Sequence, residues 1–323
     1  MDRGSTTRPE PHGISIVIAS ENLREALDAC LHALELQHDL RFELVVVDAG
    51  SKDGSQQLVT SRYPRARLVD VGEPIGLGAA FNRGIAVTSQ PWVLTLSADA
   101  VADAGLVEAL RRQAGAAAER VGMIQCRVLS KQRPERTRST GIVLLGGGVA
   151  GDRDADAPAR RDDRVEEIFC ARAGGALYRR AMLVELSLGE GPFDPSFSRG
   201  WEDVDLGWRA RLSGWAALYA PDAIVQRAAE ATPPAPHADR DARRSRLRAL
   251  LKNGSPALVA RSLPSGAIDV VRLVAGSGAA GALELVRELK GALGARAEVD
   301  RARRVERRAL ERQWIAKAPA RRP

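Results

Sequence analysis

Cysteines, aromatic residues and long apolar runs are all scarce in this sequence. Three cysteines occur in 323 residues, at Cys30, Cys126 and Cys170, and their wide spacing matches neither a disulfide framework nor a zinc-binding pattern. These absences exclude a disulfide-rich secreted module and indicate a reducing compartment. Phe, Trp and Tyr make up only 4% of the chain, so the core must consist mainly of Ala, Val and Leu.

No stretch of 18 uninterrupted apolar residues occurs, so the sequence predicts no membrane-spanning helix. Residues 1–13 are polar and lack the apolar segment of a signal peptide. We expect these residues to be disordered and the protein to be cytoplasmic.

Positive charge is concentrated in the C-terminal quarter of the chain. The net charge is +7, and residues 237–323 hold 20 Lys or Arg against 9 Asp or Glu. A basic tail indicates an anionic partner surface, either a membrane or a nucleic acid, or a solvated helix. Trp314 is the only aromatic residue in this tail. Because proteins that bind single-stranded nucleic acid stack bases on several aromatic side chains, we expect no nucleic-acid partner.

Residues 14–227 alternate between short apolar runs and helical patterns. The alternation predicts a mostly parallel sheet flanked by helices, an α/β fold. Residues 228–242 are rich in Ala, Pro and charge and predict a linker, and residues 243–323 predict a basic helical C-terminal region. The strands that the pattern predicts in the first half are residues 14–18, 44–47, 67–71 and 92–96. In the second half it predicts strands at 121–128, 142–145 and 215–219, an exposed loop at 151–164 and a short helix at 179–188.

Polar side chains follow three of the predicted strands at the point where each strand ends. Ser20, Glu21 and Asn22 follow the first, Asp48 follows the second and Asp99 follows the fourth. In open parallel sheets, ligands bind in the crevice beyond the carboxyl ends of the strands. The pattern predicts a ligand site at this edge but does not specify its chemistry.

Residues 200–209 (GWEDVDLGWR) predict a helix whose first turn is acidic. Carboxylates are favoured at helix N-termini by roughly 0.3–1 kcal/mol each, so a purely structural explanation is available. The alternative is that Glu202 and Asp203 belong to the site at the strand ends. Asp205 and Arg209, four residues apart, are expected to hold the helix in place.

Five segments resemble, in order, the motifs of family 2 glycosyltransferases, which are inverting enzymes with the GT-A fold and include bacterial rhamnosyltransferases. The resemblance covers about residues 14–227. The matching segments are residues 17–22 (VIASEN), 46–55 (VVDAGSKDGS), 76–84 (GLGAAFNRG), 96–100 (LSADA), and 193–194 (FD) followed by 202–209 (EDVDLGWR).

The resemblance implies transfer of a sugar from a nucleotide-diphosphate donor to an acceptor hydroxyl with inversion. It assigns Asp203 as the general base, with Glu202 as the second choice. Gly174 and Gly175 are expected near the acceptor, and Trp201 either stacks on an acceptor sugar or fills the core. The expected nucleotide-sugar site consists of Ala19, Glu21, Asp48, Asp53, Gly76, Asn82, Ala98 and Asp99.

The resemblance also implies a divalent cation, Mg²⁺ or Mn²⁺, bound by Asp99 and the donor diphosphate. Two departures from the family pattern weaken this expectation. Ser97 leaves the motif with one carboxylate, and Gln226 stands where many relatives have a histidine. The departures favour an alternative function, a catalytically degenerate module that binds a nucleotide-sugar.

Residues 245–253 (SRLRALLKN) resemble a segment that follows the catalytic domain in some bacterial members of the family. Those members act on lipid-linked or cell-envelope glycans at the cytoplasmic membrane face. The resemblance therefore implies a glycan or lipid-linked acceptor and peripheral attachment to an anionic membrane surface. The alternative is that the C-terminal helices pack against the main domain and expose a charged, solvated face.

Overall fold

The computed structural model describes residues 12–159, 164–197, 200–228, 238–275 and 278–316. The strands are β1 (Ile14–Ser20), β2 (Phe42–Asp48), β3 (Arg67–Asp70), β4 (Trp92–Ser97), β5 (Ala100–Ala102), β6 (Val121–Ser130), β7 (Thr137–Ser139), β8 (Ile142–Leu145), β9 (Val149–Asp152), β10 (Glu166–Ile168), β11 (Gly175–Arg179), β12 (Ala216–Arg227) and β13 (Ile315–Ala316).

The helices are α1 (Arg24–Glu35), α2 (Ser55–Arg62), α3 (Leu77–Ala86), α4 (Leu106–Ala116), α5 (Arg180–Glu185), α6 (Glu202–Leu212), α7 (Ala238–Asn253), α8 (Pro256–Ala275), α9 (Gly278–Ala302) and α10 (Arg307–Trp314). A short 3₁₀ turn, Gly146–Gly148, joins β8 to β9.

Strands β3, β2, β1 and β4 lie side by side and parallel, in that order. Every residue of β1 and β4 is buried, as expected for continuously apolar strands covered on both faces. The register pairs Ser20 with Asp48 and Ala19 with Ser97. The predicted parallel sheet is confirmed, and its carboxyl edge brings together the polar residues that follow these strands.

The other half of the main sheet is mixed. Strand β11 runs antiparallel to both β4 and β6, whereas β12 runs parallel to β6. The predicted strand at 215–219 continues to Arg227 in the structure. Its last residues pair antiparallel with β5, so that Arg227 lies opposite Ala100, next to Asp99.

The prediction of a loop at residues 151–164 is wrong for its first two residues. Asp152 ends β9, which pairs antiparallel with β8 and sets Ile142 opposite Asp152. The polar sequence of this segment is compatible with a strand because β9 lies in a small separate sheet with β8 and β13 and none of its four residues is fully buried. Residues 160–163 lie outside the described residues.

Helix α7 begins at Ala238, inside the range predicted as a linker. Residues 229–237 of that range lie outside the described part of the chain. The helices that follow pack on the main domain, since α7 and α9 both contact α6. None of the helices in the described residues is both long enough and apolar enough to cross a membrane.

Candidate active site

The carboxyl ends of β1 and β2 carry two buried polar atoms without partners. Asp48 is 1% exposed, and its Oδ1 accepts hydrogen bonds from the Ser51 N–H (2.9 Å) and the Gln56 Nε2 (2.9 Å). Within the described residues, neither the other oxygen of Asp48 nor the hydroxyl of Ser20 has a hydrogen-bond partner. A buried polar atom without a partner costs about 1–3 kcal/mol, so this pair indicates that a ligand completes the edge.

Asp53, predicted in the nucleotide-sugar site, is exposed and accepts three hydrogen bonds from the protein itself. Its two oxygens accept hydrogen bonds from the Arg24 N–H (2.8 Å) and from the N–H and hydroxyl of Ser55 (3.0 and 2.6 Å). Asp53 therefore fixes the starts of α1 and α2, and with them the loop that follows Asp48. Its role is to hold that loop, and hydrogen bonding lowers the pKa of its carboxyl against the opposing effect of burial.

Ala19, Ala98 and Glu21 lie along the same edge. The Ala98 N–H donates to the Ala19 carbonyl (3.1 Å), and the Ala98 side chain is fully buried in the core. The side chain of Ala98 is therefore inaccessible to a ligand. Glu21 is exposed directly after the carboxyl end of β1.

Asn82 is buried and makes paired hydrogen bonds to a backbone segment far away in sequence. Its Nδ2 donates to the Phe193 carbonyl (2.7 Å), and its Oδ1 accepts from the Phe193 N–H (3.0 Å). The same helix, α3, begins just after Gly76, and a Cβ at Gly78 would lie 3.1 Å from the Cβ of Glu202. Asn82 thus holds α3 against the 193–202 segment and brings the start of α3 beside the acidic pair.

Helix α6 starts at the acidic pair, preceded by Trp201 with a positive φ of 74°. Asp203 is 4% exposed, and its Oδ2 accepts hydrogen bonds from the Ala173 N–H (3.2 Å) and from the Arg172 guanidinium (3.4 Å). Trp201 is half-buried and packs against the core. Both earlier explanations of Trp201 remain compatible with this position.

Glu202 differs from Asp203 in its surroundings. It is buried, and its Oε2 has no hydrogen-bond partner among the described residues. Burial, and then the charge of Asp203, raise the pKa of Glu202 to about 8. Glu202 therefore holds its proton at neutral pH, whereas Asp203 accepts hydrogen bonds from three N–H donors, those of Arg172, Ala173 and Val204.

This difference predicts a pH-dependent effect of Glu202→Gln. A carboxyl whose pKa is raised on folding supports stability below its unfolded pKa, and that support is lost as pH rises through the folded value. We therefore expect the melting temperature of Glu202→Gln minus that of the wild type to increase between pH 5 and pH 9, by about 2 °C or more. Thermal unfolding over this pH range measures the effect, and a constant difference would contradict the assignment.

A cavity of about 200 Å³ opens between α6 and the ends of β11 and β12. The start of α3, through Leu77, and both predicted glycines border it. Its ionisable lining is three arginines and three acids, namely Arg138, Arg172, Arg227, Asp152, Glu202 and Asp203.

The three arginines that line this cavity were not among the predicted site residues. The available signals were Arg172 just before Gly174 and Gly175, and Arg227 directly after Gln226. Neither signal was specific in a chain so rich in arginine.

Arg172 links the two acidic sides of the cavity. Its Nε and Nη2 both bond Asp152, the latter at 2.9 Å, and its Nη1 reaches Asp203. Its backbone N–H donates to the buried Gln125 Oε1 (2.6 Å), which fixes the loop before β11. Burial alone would lower the pKa of Arg172, but Asp203 and Asp152 raise it above its usual value. Arg172 is therefore a permanent positive charge that orients Asp203.

Gly174 adopts a φ of +82°, a conformation that favours glycine. A Cβ at this position would collide with the Ser97 hydroxyl and would lie 3.5 Å from Nη1 of Arg227. Gly174 thus leaves open the space between β4 and the end of β12, as expected for a close approach of backbone and ligand. Gly175 starts β11 and packs on Val128.

Asp99 is paired with a cation that belongs to the protein. Nε of Arg227 lies 3.0 and 3.2 Å from its two oxygens, and Nη2 lies 3.0 Å from Oδ1. The neighbouring positions of the expected metal motif are neutral, Ser97 and Gln226. Within the described residues there is no group of three or more His, Cys, Asp or Glu side chains that could hold a metal ion. A hard divalent cation beside a diphosphate still needs a free carboxylate oxygen from the protein, and both oxygens of Asp99 already bond Arg227, so this donor set does not fit one.

Comparison with known proteins identifies the family. The sequence profile described as glycosyl transferase family 2 matches residues 15–186, more than half of the chain. The chain belongs to this family. It is an enzyme of the transferase class, as the resemblance implied.

Among curated proteins, the chain is 29% identical over 221 residues to the N-acetylglucosaminyl-diphospho-decaprenol L-rhamnosyltransferase of Mycobacterium tuberculosis. The match covers 62% of this chain and 70% of the relative. It is also 28% identical over 219 residues to the validoxylamine A glucosyltransferase of Streptomyces hygroscopicus, covering 62% of this chain and 52% of that protein.

Two solved glycosyltransferases share the fold. The mannosyltransferase PcManGT of Pyrobaculum calidifontis, in complex with GDP-Man and Mn²⁺, has a TM-score of 0.51 at 18% identity and covers 96% of this chain and 90% of its own. GalNAc-T7 with UDP, GalNAc and Mn²⁺ has a TM-score of 0.58 at 13% identity and covers 74% and 48%. The predicted GT-A fold is thereby confirmed.

Proposed function

We propose that this family 2 glycosyltransferase transfers a sugar from a nucleotide-diphosphate donor to an acceptor hydroxyl with inversion, using Asp203 as the general base. The observation that carries the proposal is the position of Asp203. It is buried, oriented by Arg172 and the Ala173 N–H, and borders a cavity that also contains Arg227. The unpartnered oxygens of Asp48 and Ser20 at the sheet edge support a nucleoside site beside that cavity.

The chemical step follows from these roles. The acceptor oxygen forms a bond to the anomeric carbon while the bond from that carbon to the diphosphate oxygen breaks, and the electron pair leaves with the nucleoside diphosphate. The proton of the acceptor hydroxyl passes to Asp203. A single displacement from the opposite face inverts the anomeric centre. Arg172 keeps Asp203 oriented, and the protonated Glu202 adds no second negative charge.

A lipid-linked glycan is the acceptor class that we propose. The similarity to a transferase whose name contains a decaprenol diphosphate supports it. Helix α9 supports it too, because Leu283, Val286 and Leu293 are exposed along it, near Arg287 and Lys290. An exposed apolar stripe with basic neighbours suits peripheral binding to an anionic membrane. Flotation with phosphatidylglycerol vesicles measures this, and absence of binding would contradict membrane attachment.

A donor screen tests the proposed reaction. Purified protein is incubated with UDP-, GDP- and dTDP-sugars and a polyprenyl-diphosphate sugar, and release of nucleoside diphosphate is measured. We expect release from one donor class that depends on the acceptor. Donor binding without release or transfer would favour the degenerate nucleotide-sugar-binding module instead. Absence of both binding and release for every donor would overturn the proposal.

The expectation of Mg²⁺ or Mn²⁺ at Asp99 is supported by the solved neighbours alone, whose descriptions include Mn²⁺. The donor set of this chain does not fit such an ion, and no step of the proposed reaction is assigned to one.

A further inference from the structure

We propose that Arg227 supplies the positive charge that binds the donor diphosphate, in place of a divalent cation. The inference rests on the proposed function, because it concerns the donor of the same reaction. It assigns Asp99 as a positioning residue for Arg227 and gives a physical reason for the neutral residues Ser97 and Gln226 nearby.

The first observation is the position of the Arg227 guanidinium. Its guanidinium forms a forked pair with Asp99 through Nε and Nη2, and its side chain stays 20% exposed. The third nitrogen, Nη1, faces Gly174, where no side chain separates it from the cavity. The pair with Asp99 therefore orients the guanidinium and leaves one face directed at the space where a ligand would lie.

The second observation concerns the charged groups around Arg227. Arg138 borders the same cavity and donates to the Ala228 carbonyl (2.6 Å), directly after Arg227. Arg172 is committed to Asp152 and Asp203 on the opposite side. Two guanidinium groups thus converge at the end of β12, where Arg227 pairs with Asp99 and the charge of Arg138 also acts on Asp152. The paired N–H donors of such guanidinium groups suit a diphosphate.

The chemistry of the donor also favours a fixed positive charge at this position. When the bond from the anomeric carbon to the diphosphate oxygen breaks, negative charge grows on the leaving diphosphate. A fixed guanidinium stabilises that charge without any change in its own protonation. Removal of one such preorganised donor typically lowers kcat by about 10²–10³-fold.

The test measures binding of UDP, GDP, dTDP and the matching nucleosides by isothermal titration, once in EDTA and once in Mn²⁺. For the wild type, we expect nucleoside diphosphate to bind in EDTA and Mn²⁺ to change its affinity by less than about threefold. Arg227→Gln should weaken diphosphate binding in EDTA by about 10–100-fold, as expected for loss of hydrogen bonds to a charged group. Its affinity for the nucleoside should not change, and this also shows that the variant is folded.

Three further variants separate the roles. Arg227→Lys keeps the charge without the fork and should bind the diphosphate with intermediate affinity. Asp99→Asn, which removes a positioning group, should weaken binding less than Arg227→Gln does. Arg112→Gln removes the exposed partner of Asp222 and should bind like the wild type.

Two outcomes overturn the inference, and they are distinguishable. If nucleosides bind but the diphosphate adds affinity only with Mn²⁺, and Asp99→Asn abolishes that gain, then Asp99 is a metal ligand and Arg227 is not the substitute. The proposed function would survive this result. If neither nucleosides nor nucleoside diphosphates bind under either condition, the proposed function fails together with the inference.

Discussion

Replacing Asp203 by Asn should lower the rate of sugar transfer by about 10²–10⁴-fold, the usual contribution of a general base. The substitution preserves the size of the side chain and removes its capacity to take a proton from the acceptor hydroxyl. Because Asp203 lines the cavity and Asp48 does not, the proposed nucleoside site at Asp48 should be unaffected. Steady-state kinetics should show the loss in kcat, and calorimetric titration should show unchanged affinity for the nucleotide.

Two matched variants sharpen this prediction. Glu202→Gln removes a carboxyl that already carries its proton at neutral pH, so it should lower kcat far less than Asp203→Asn. Asp222→Asn changes an exposed carboxylate in the middle of β12, outside the cavity lining, and should leave the rate unchanged. If Glu202→Gln is the more damaging variant, the roles of the two residues are reversed. Normal turnover by Asp203→Asn would eliminate the proposed base.

Replacing Lys252 by Met should destabilise the protein by about 3–5 kcal/mol, the usual cost of removing one partner of a buried ion pair. The Lys252 side chain is fully buried, and its Nζ lies 2.6 Å from Asp194 and 2.9 Å from Asp205. Asp205 also accepts from Asn253 (2.9 Å) and pairs with Arg209 (2.8 Å). The network joins α7 to α6 and so connects the C-terminal helices to the helix that starts at Glu202 and Asp203.

Urea unfolding measures this effect, with Lys290→Met as the control because Lys290 is exposed on α9. The control should change the free energy of unfolding by about 0.5 kcal/mol or less. An unaltered free energy of unfolding for Lys252→Met would show that the network contributes nothing net.

The same network predicts a pH dependence. Burial would raise the pKa of Asp205, but Lys252 and Arg209 lower it to about 2. A carboxyl with a lowered folded pKa contributes stability above its unfolded pKa, near 3.9, and loses it as pH falls through the folded value. Lys252→Met removes part of the cause of the low pKa, so the difference in free energy of unfolding between the wild type and the variant should shrink as pH falls from 5 towards 2, which urea unfolding at several pH values measures.

Much of the N-terminal half of the sheet could be predicted from the sequence. The four apolar runs between residues 14 and 96 predicted strands, and their parallel order follows from the helical patterns between them. Asp48 and Asp99 lie at the carboxyl edge of the sheet, as the pattern predicted, because a residue that follows a parallel strand lies at that edge whatever the details of packing. The assignment of Asp205 and Arg209 as a structural pair also followed from their spacing, and the structure confirms it.

Other site residues could not be assigned from local patterns. Asn82 and Asp53 looked like ligand-binding residues because they occur in family motifs. In the structure their polar atoms satisfy backbone groups at Phe193, Arg24 and Ser55. Such partners are brought together by tertiary packing, and the motif spacing carries no information about them.

The sequence by itself determined the α/β fold, the carboxylates at the strand ends and the acidic start of α6, because each depends on local periodicity or on spacing within one segment. Only the tertiary structure decided what faces Asp99. Strand β12 shifts register against β6 between Ala220 and Ile224, and such an irregularity changes which side chains point to each face of a strand. With β5 paired to the end of β12, Arg227 faces the carboxylate of a residue 128 positions away. A contact at that separation depends on the register of three strands at once, which no local pattern encodes.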